Sequence, residues 1–299
     1  MLYCLFQRIK RLAVWSVAVL WAVGMTMAQT RAESPEEVKE RLLRALFTDR
    51  SAKVRAQAVL SLADFTNDES VLDALIQTMS DKSPIVRGTV ARVLGLSRAK
   101  RAFWVLCEAS FDKDKFVAKW ASEGLLEVLK GGHSLKVSVD AQVGNIRNAT
   151  SVEREDIRRM MMDGLLSVLT KESNIDIETR LIDFAGNGGS SGARDDIMLS
   201  VVALLEDARK EDGVGVATIK VRVTSVHGCK VWEGTGEGRA VAKKAEEDEF
   251  RDEYSMPTPE IDPRIEASEI GARQAILAFI RTIREQTTET LTKGGQDGR

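Results

Sequence analysis

The chain is 299 residues long, 43% hydrophobic and 5% aromatic, with a formal net charge of −2. This length gives room for domains with cores of their own, and the balanced charge excludes the basic excess of a general nucleic-acid binder. Three cysteines and two histidines exclude a disulfide-stapled miniprotein, a cysteine-rich zinc module and a histidine-based metal or acid–base centre.

The N-terminus carries Arg8, Lys10 and Arg11 and no acid, then an uncharged apolar run from Leu12 to Met25, then Thr26-Met27-Ala28. This is the pattern of a secretory signal peptide cut after Ala28. Residues 1–28 then act as an address for export across the inner membrane, with a periplasmic destination, and their loss takes the net charge from −2 to −5. The alternative is an uncleaved anchor, because the uncharged stretch Leu12–Thr30 just reaches the roughly 17–25 residues a membrane helix needs. Cys4 leaves with the signal. Cys107 is predicted on a helix and Cys229 in a hairpin turn of another domain, and the two are read as independent small residues.

From residue 34 to 130 the chain repeats itself. Asp49, Asp81 and Asp112 recur at steps of about 30 residues, as do Val54, Val86 and Val117 and then Leu62, Leu94 and Leu125. Each unit reads as two helices. The first members fall at about 36–47, 69–79 and 99–110, and the second at about 52–65, 84–96 and 115–129. Ser34-Pro35-Glu36-Glu37 supplies an N-cap, a proline at the first helical position and a capping box, and Ser83-Pro84 repeats the device. The four-residue spacing of Val54, Ala58 and Leu62 puts them on one helical face.

The Asp-x4-Val-Arg turn followed by an Ala/Val-x3-Leu helix resembles HEAT repeats of the short bacterial type. The resemblance implies an all-α solenoid, in which Asp49, Arg55, Asp81, Arg87 and Asp112 form a structural ladder: the aspartate caps the second helix and the arginine bridges units. The third unit departs from it, with Ala118 where the others have arginine. That unit is also rich in aromatics: Phe103, Trp104, Phe111, Phe116 and Trp120. They are candidates for an interdomain contact or a partner-binding patch, and the third repeat is expected to pack on the domain that follows.

Gly131-Gly132-His133 breaks the helical period. A second domain is predicted over 135–289. Leu135, Val137, Val139, Ala141 and Val143 alternate as a strand. Thr150-Ser-Val-Glu153 opens a helix to about Lys171, and Ile175, Ile177 and Leu181 mark a short strand. After the glycine-rich loop Gly186–Gly192 comes the apolar strand Ile197–Leu205. The alternating run Ala217–Thr224 then forms a hairpin with Val231–Gly238 through His227-Gly228-Cys229-Lys230. Trp232, Gly234, Gly236 and Gly238 share one face, which would let a helix approach closely. The last helix is placed at about 265–288 and a disordered tail at 290–299.

The predicted fold is therefore an all-α HEAT-like solenoid followed by an α+β domain, with helices on one side of a mostly antiparallel sheet. The stretch Ile197–Ala242 resembles the sheet of the curli-secretion and penicillin-binding-protein-activator lipoproteins and of the TolB N-terminal type. The whole arrangement resembles exported bacterial HEAT-repeat proteins, which implies assembly or partner binding.

No residue pattern points to catalysis. Gly234–Gly238 lies inside a strand, so it is not a dinucleotide fingerprint. His133 and His227 have no local partner for acid–base work. The acidic run 246–253 lacks the spaced loop of a calcium site. Asn148-Ala-Thr150 matches a sequon, but capping already accounts for Thr150. The expectation is a non-enzymatic interaction or scaffold protein of the cell envelope, with protein partners, no nucleic acid, no cofactor and no metal. The alternatives are a membrane-tethered structural protein and, less favoured, an enzyme subunit resembling the HEAT-like bilin lyases.

Overall fold

The computed structural model describes residues 34–144, 150–177, 196–242 and 262–284. Residues 1–28, read above as a signal peptide, lie outside these residues, as do Asn148, Leu181, the segment Gly186–Gly192, the acidic run 246–253, the segment 290–299 and the expected end of the last helix beyond Arg284.

Six helices come first: α1 (Pro35–Thr48), α2 (Ala52–Ser61, extended by a 3-10 turn Leu62–Phe65), α3 (Glu69–Thr78), α4 (Pro84–Ser97), α5 (Ala102–Ala109) and α6 (Lys115–Leu129). The starts follow the local chemistry. Ser34 accepts the backbone N–H of Glu37 while Glu37 reaches back to the N–H of Ser34, closing the capping box. Asp68 and Asp114 cap α3 and α6 through Ser70 and Phe116. The second and third units bury the predicted stripe, with Val86, Val90, Leu94, Val117, Ala121 and Leu125 sealed from solvent. In the first unit Ala58 and Leu62 are buried, with Val59 sealed beside them, but Val54 is 43% exposed, because no earlier unit covers that face of α2. At roughly 25 cal/mol per Å² of apolar surface, such burial is the main force holding helix on helix.

The remainder is β1 (Leu135–Val143), α7 (Ser151–Leu169), β2 (Ile175–Ile177), β3 (Ile197–Glu211), β4 (Val214–Ser225), β5 (Lys230–Val241) and α8 (Pro263–Arg284). The strands make one mixed sheet of five in the order β2-β1-β3-β4-β5. β1 runs parallel to both β2 and β3, with Val139 opposite Val201. β3, β4 and β5 are antiparallel, with Val221 opposite Ala203 on one side and Gly234 on the other. Most of the paired length is antiparallel. β3 is longer than expected, because its polar end Glu206–Glu211 continues into the hairpin turned by Asp212 and Gly213 at positive φ.

The glycines of β5 fit the last helix. A Cβ on Gly236 would lie 2.2 Å from the carbonyl oxygen of Gly271, and one on Gly238 would lie 1.8 Å from that of Ala267. Either is closer than atoms can come, so only glycine lets α8 rest on the strand. Trp232, on the same strand, folds over Gly234 and meets Phe279 of α8 at 5.5 Å between ring centroids. Helix α7 packs on α8 in turn, where Gly164 faces the backbone of Glu269.

Candidate interaction site

The recurring polar residues form a ladder. Arg55 donates to both carboxylate oxygens of Asp81, at 2.7 and 2.8 Å. Arg87 does the same to Asp112, at 2.8 and 3.0 Å. The remaining guanidinium nitrogen of each turns back to its own unit, onto the carbonyl of Asp49 or of Asp81. The arginine of one unit thus grips the aspartate of the next. The guanidinium beside each carboxyl holds Asp81 and Asp112 below the usual carboxylate range, more strongly than burial raises them.

Two details refine the expected roles. The aspartates are not the caps: Asp49, Asp81 and Asp112 each accept the N–H of the residue two further on, which itself sits at the cap position. They fix the turn that leads into the helix. Ala118, the departure in the third unit, is also explained. No fourth unit follows to offer an aspartate, because the chain leaves α6 at Gly131 for the sheet.

The aromatic candidates separate into two groups. Phe103 is fully buried, and Trp104 stands edge-on to His227 of the β4–β5 turn at 4.8 Å. Phe111 and Phe116 are 64% and 45% exposed. Phe116 rests on Gly88 of α4 and stands edge-on to Trp120, while Arg92 of α4 lies over the Trp120 ring at 4.9 Å. The first group joins the repeats to the sheet, Phe116 and Trp120 form an outer face shared by α4 and α6, and Phe111 stands exposed in the turn after α5.

The joint itself corrects one expectation. Cys107 and Cys229 are not independent. They form a disulfide with Cα atoms 5.6 Å apart and a sequence separation of 122. The bond is buried, and the Ser225 hydroxyl sits 2.9 Å from the Cys229 sulfur and 3.2 Å from that of Cys107. Helix and hairpin turn lie in different parts of the sequence, and only the docking of the β4–β5 turn onto α5 brings the two sulfurs together. Nearby, Asp196 at the start of β3 pairs with Lys100 and Lys136, and His133 donates from Nε2 to the carbonyl of Arg98 at 2.7 Å. Both histidines therefore serve the junction.

At the opposite end of the stack, α1 and α2 leave a shallow apolar depression of about 300 Å³, lined among others by Leu42, Ala45, Val54 and Ala58. Among the described residues, no group of three or more His, Cys, Asp or Glu is placed to hold a metal ion. No helix there is long and apolar enough to cross a membrane.

Comparison with known proteins places HEAT repeats at residues 39–126. The class is thus a HEAT-repeat segment followed by a mixed sheet. Two solved bacterial structures are similar in part. One is the hypothetical protein CT253 of Chlamydia trachomatis, at 8% identity and TM-score 0.29, covering 52% of this chain and 95% of that one. The other is a neuraminyllactose-binding hemagglutinin homolog of Helicobacter pylori, at 9% identity and TM-score 0.25, covering 56% and 85%. No curated protein matches the chain.

Proposed function

We propose that the protein is an exported, non-enzymatic interaction or scaffold protein of the bacterial cell envelope, in which HEAT repeats present a binding face and the α+β domain anchors and orients it. The observation that carries this reading is the outer face of α4 and α6: Ile85 and Phe116 remain 53% and 45% exposed on a stack whose interior is sealed. Large apolar side chains gathered on one exposed face favour contact with another protein. Stacked helix pairs give such a face its length.

Export is supported by the signal-like pattern of residues 1–28 and by the buried Cys107–Cys229 bond, since disulfides persist in oxidising compartments. The resemblance to envelope lipoproteins of the curli-secretion and TolB type points the same way. On this reading α7 and α8 cover one side of the sheet, the polar side with Lys220, Arg222 and Glu233 faces outward, and the periplasm is the site of action.

A photo-crosslinking residue at Ile85, with a control at Lys171, tests the reading in the native host. The expected result is a discrete adduct from Ile85 only, on a chain whose mature N-terminus is Gln29. A chain that forms no adduct from either position argues against an interaction role, and retention of residues 1–28 argues for the tether.

A further inference from the structure

The face of α4 and α6 is rich in cations. Arg92 and Lys119 lie over Trp120, Lys82 and Lys113 stand in the turns before α4 and α6, Lys115 opens α6 next to Phe116, and all five are exposed. Among the described residues Lys82, Lys113 and Lys115 enter no ion pair, although the chain as a whole is net negative. The nearby acids offset them only in part: Lys82 acts on Asp81 and Lys113 on Asp112 across space, without direct pairing. Asp81 and Asp112 have both oxygens bound by Arg55 and Arg87. Asp114 caps α6, and Glu123 faces only Lys119, at 3.9 Å.

Resting on the interaction reading above, we propose that this face binds an acidic segment of a protein partner, with apolar side chains of that segment seated on Ile85, Phe116 and Trp120. Such a segment complements the face in charge and in apolar contact. Unpaired cations in the turns before α4 and α6 supply long-range attraction, and the aromatic pair supplies the contact area. A protein fits better than an anionic membrane. Phe116 rests on Gly88 and Trp120 lies under Arg92, so both rings are held against the stack and offer faces and edges to a partner, not free side chains to lipid.

The test is fluorescence anisotropy with the mature chain and a labelled peptide alternating Glu with Leu and Phe. Comparison peptides carry Gln or Lys for Glu, or Ser for Leu and Phe, and phosphatidylcholine–phosphatidylglycerol vesicles form a separate arm. The Glu–Leu–Phe peptide should bind best and lose affinity as salt rises. The double variant Lys113→Glu with Lys115→Glu should weaken it about tenfold at unchanged melting temperature, and Lys171→Glu should leave it unchanged. Equal binding of the Gln or Lys peptide overturns the acidic assignment while leaving an interaction face in place. Binding to vesicles alone, or an unaffected double variant, overturns the proposal. So does failure of every probe, and the crosslinking experiment then decides separately whether the face binds anything.

Discussion

Arg87 and Asp112 meet across the boundary between the second and third repeats, and the guanidinium holds both carboxylate oxygens at 2.8 and 3.0 Å. The same geometry joins Arg55 to Asp81 one unit earlier, in a more enclosed setting where the side chains are 7% and 12% exposed. Removing one partner leaves the other charge part-buried and unpaired. Arg55→Ala should therefore cost about 2 kcal/mol, discounted from the fully buried case for the solvent that still reaches the pair. Urea denaturation monitored by circular dichroism measures the loss, and Arg55→Lys should recover only part of it because it cannot grip both oxygens.

The ladder also sets an acid limit. Asp81 and Asp112 are held below the ordinary carboxylate range mainly by hydrogen bonds from Arg55 and Arg87. Their folded values lie below the unfolded value of about 3.9. Their contribution to stability is thus complete above that pH and is lost as pH falls through the folded values. Melting temperatures measured from pH 6 downward should drop more steeply for the wild type than for a variant with both aspartates changed to asparagine.

The Cys107–Cys229 bond closes a long loop, at a sequence separation of 122. In the chain-entropy view, a loop of this size is worth up to about 5 kcal/mol through restriction of the unfolded state. A thiol reductant should lower the melting temperature of the wild type. The double variant Cys107→Ala with Cys229→Ala should melt low already and be indifferent to reductant. Equal melting of wild type and variant without reductant would show that the bond contributes nothing.

Close approach of α8 to β5 predicts a severe local requirement. A methyl group at Gly238 would meet the Ala267 carbonyl oxygen at 1.8 Å, backbone against backbone, so the helix must move. Gly238→Ala should destabilise by about 2–3 kcal/mol or more, as overpacking does. Gly144→Ala, where a methyl group meets nothing within 4 Å, is the control. Thermal melting of the two variants side by side gives the comparison.

Local signals made most of this architecture legible. The HEAT helices followed from Asp-x4-Val-Arg recurring in register, and the face of β5 followed from glycines at every second position. What stayed hidden depends on where distant segments meet. Cys107 gave no sign of its partner because nothing local, at a sequence separation of 122, specifies that the β4–β5 turn folds back onto α5. The aromatics of the third repeat read as a single cluster for the same reason. Their spacing shows that they are near one another in sequence, but not that Trp104 turns toward His227 while Phe116 and Trp120 pair against α4.

That division yields a final contrast. Trp104 lies between Phe103 and His227, with ring centroids 5.2 and 4.8 Å away, at the joint between repeats and sheet. Trp120 is equally part-buried, packed against the core of the stack on one side and against Phe116, Arg92 and Lys119 on the other. Each truncation should therefore cost about 2–3 kcal/mol, at or below the low end for a fully buried tryptophan. Trp120→Ala should in addition remove a contact from the proposed acidic-peptide face. The two variants should differ in binding: chemical denaturation moves for both, and peptide anisotropy moves for Trp120→Ala only. A Trp120→Ala variant that binds the peptide as the wild type does would remove Trp120 from that face.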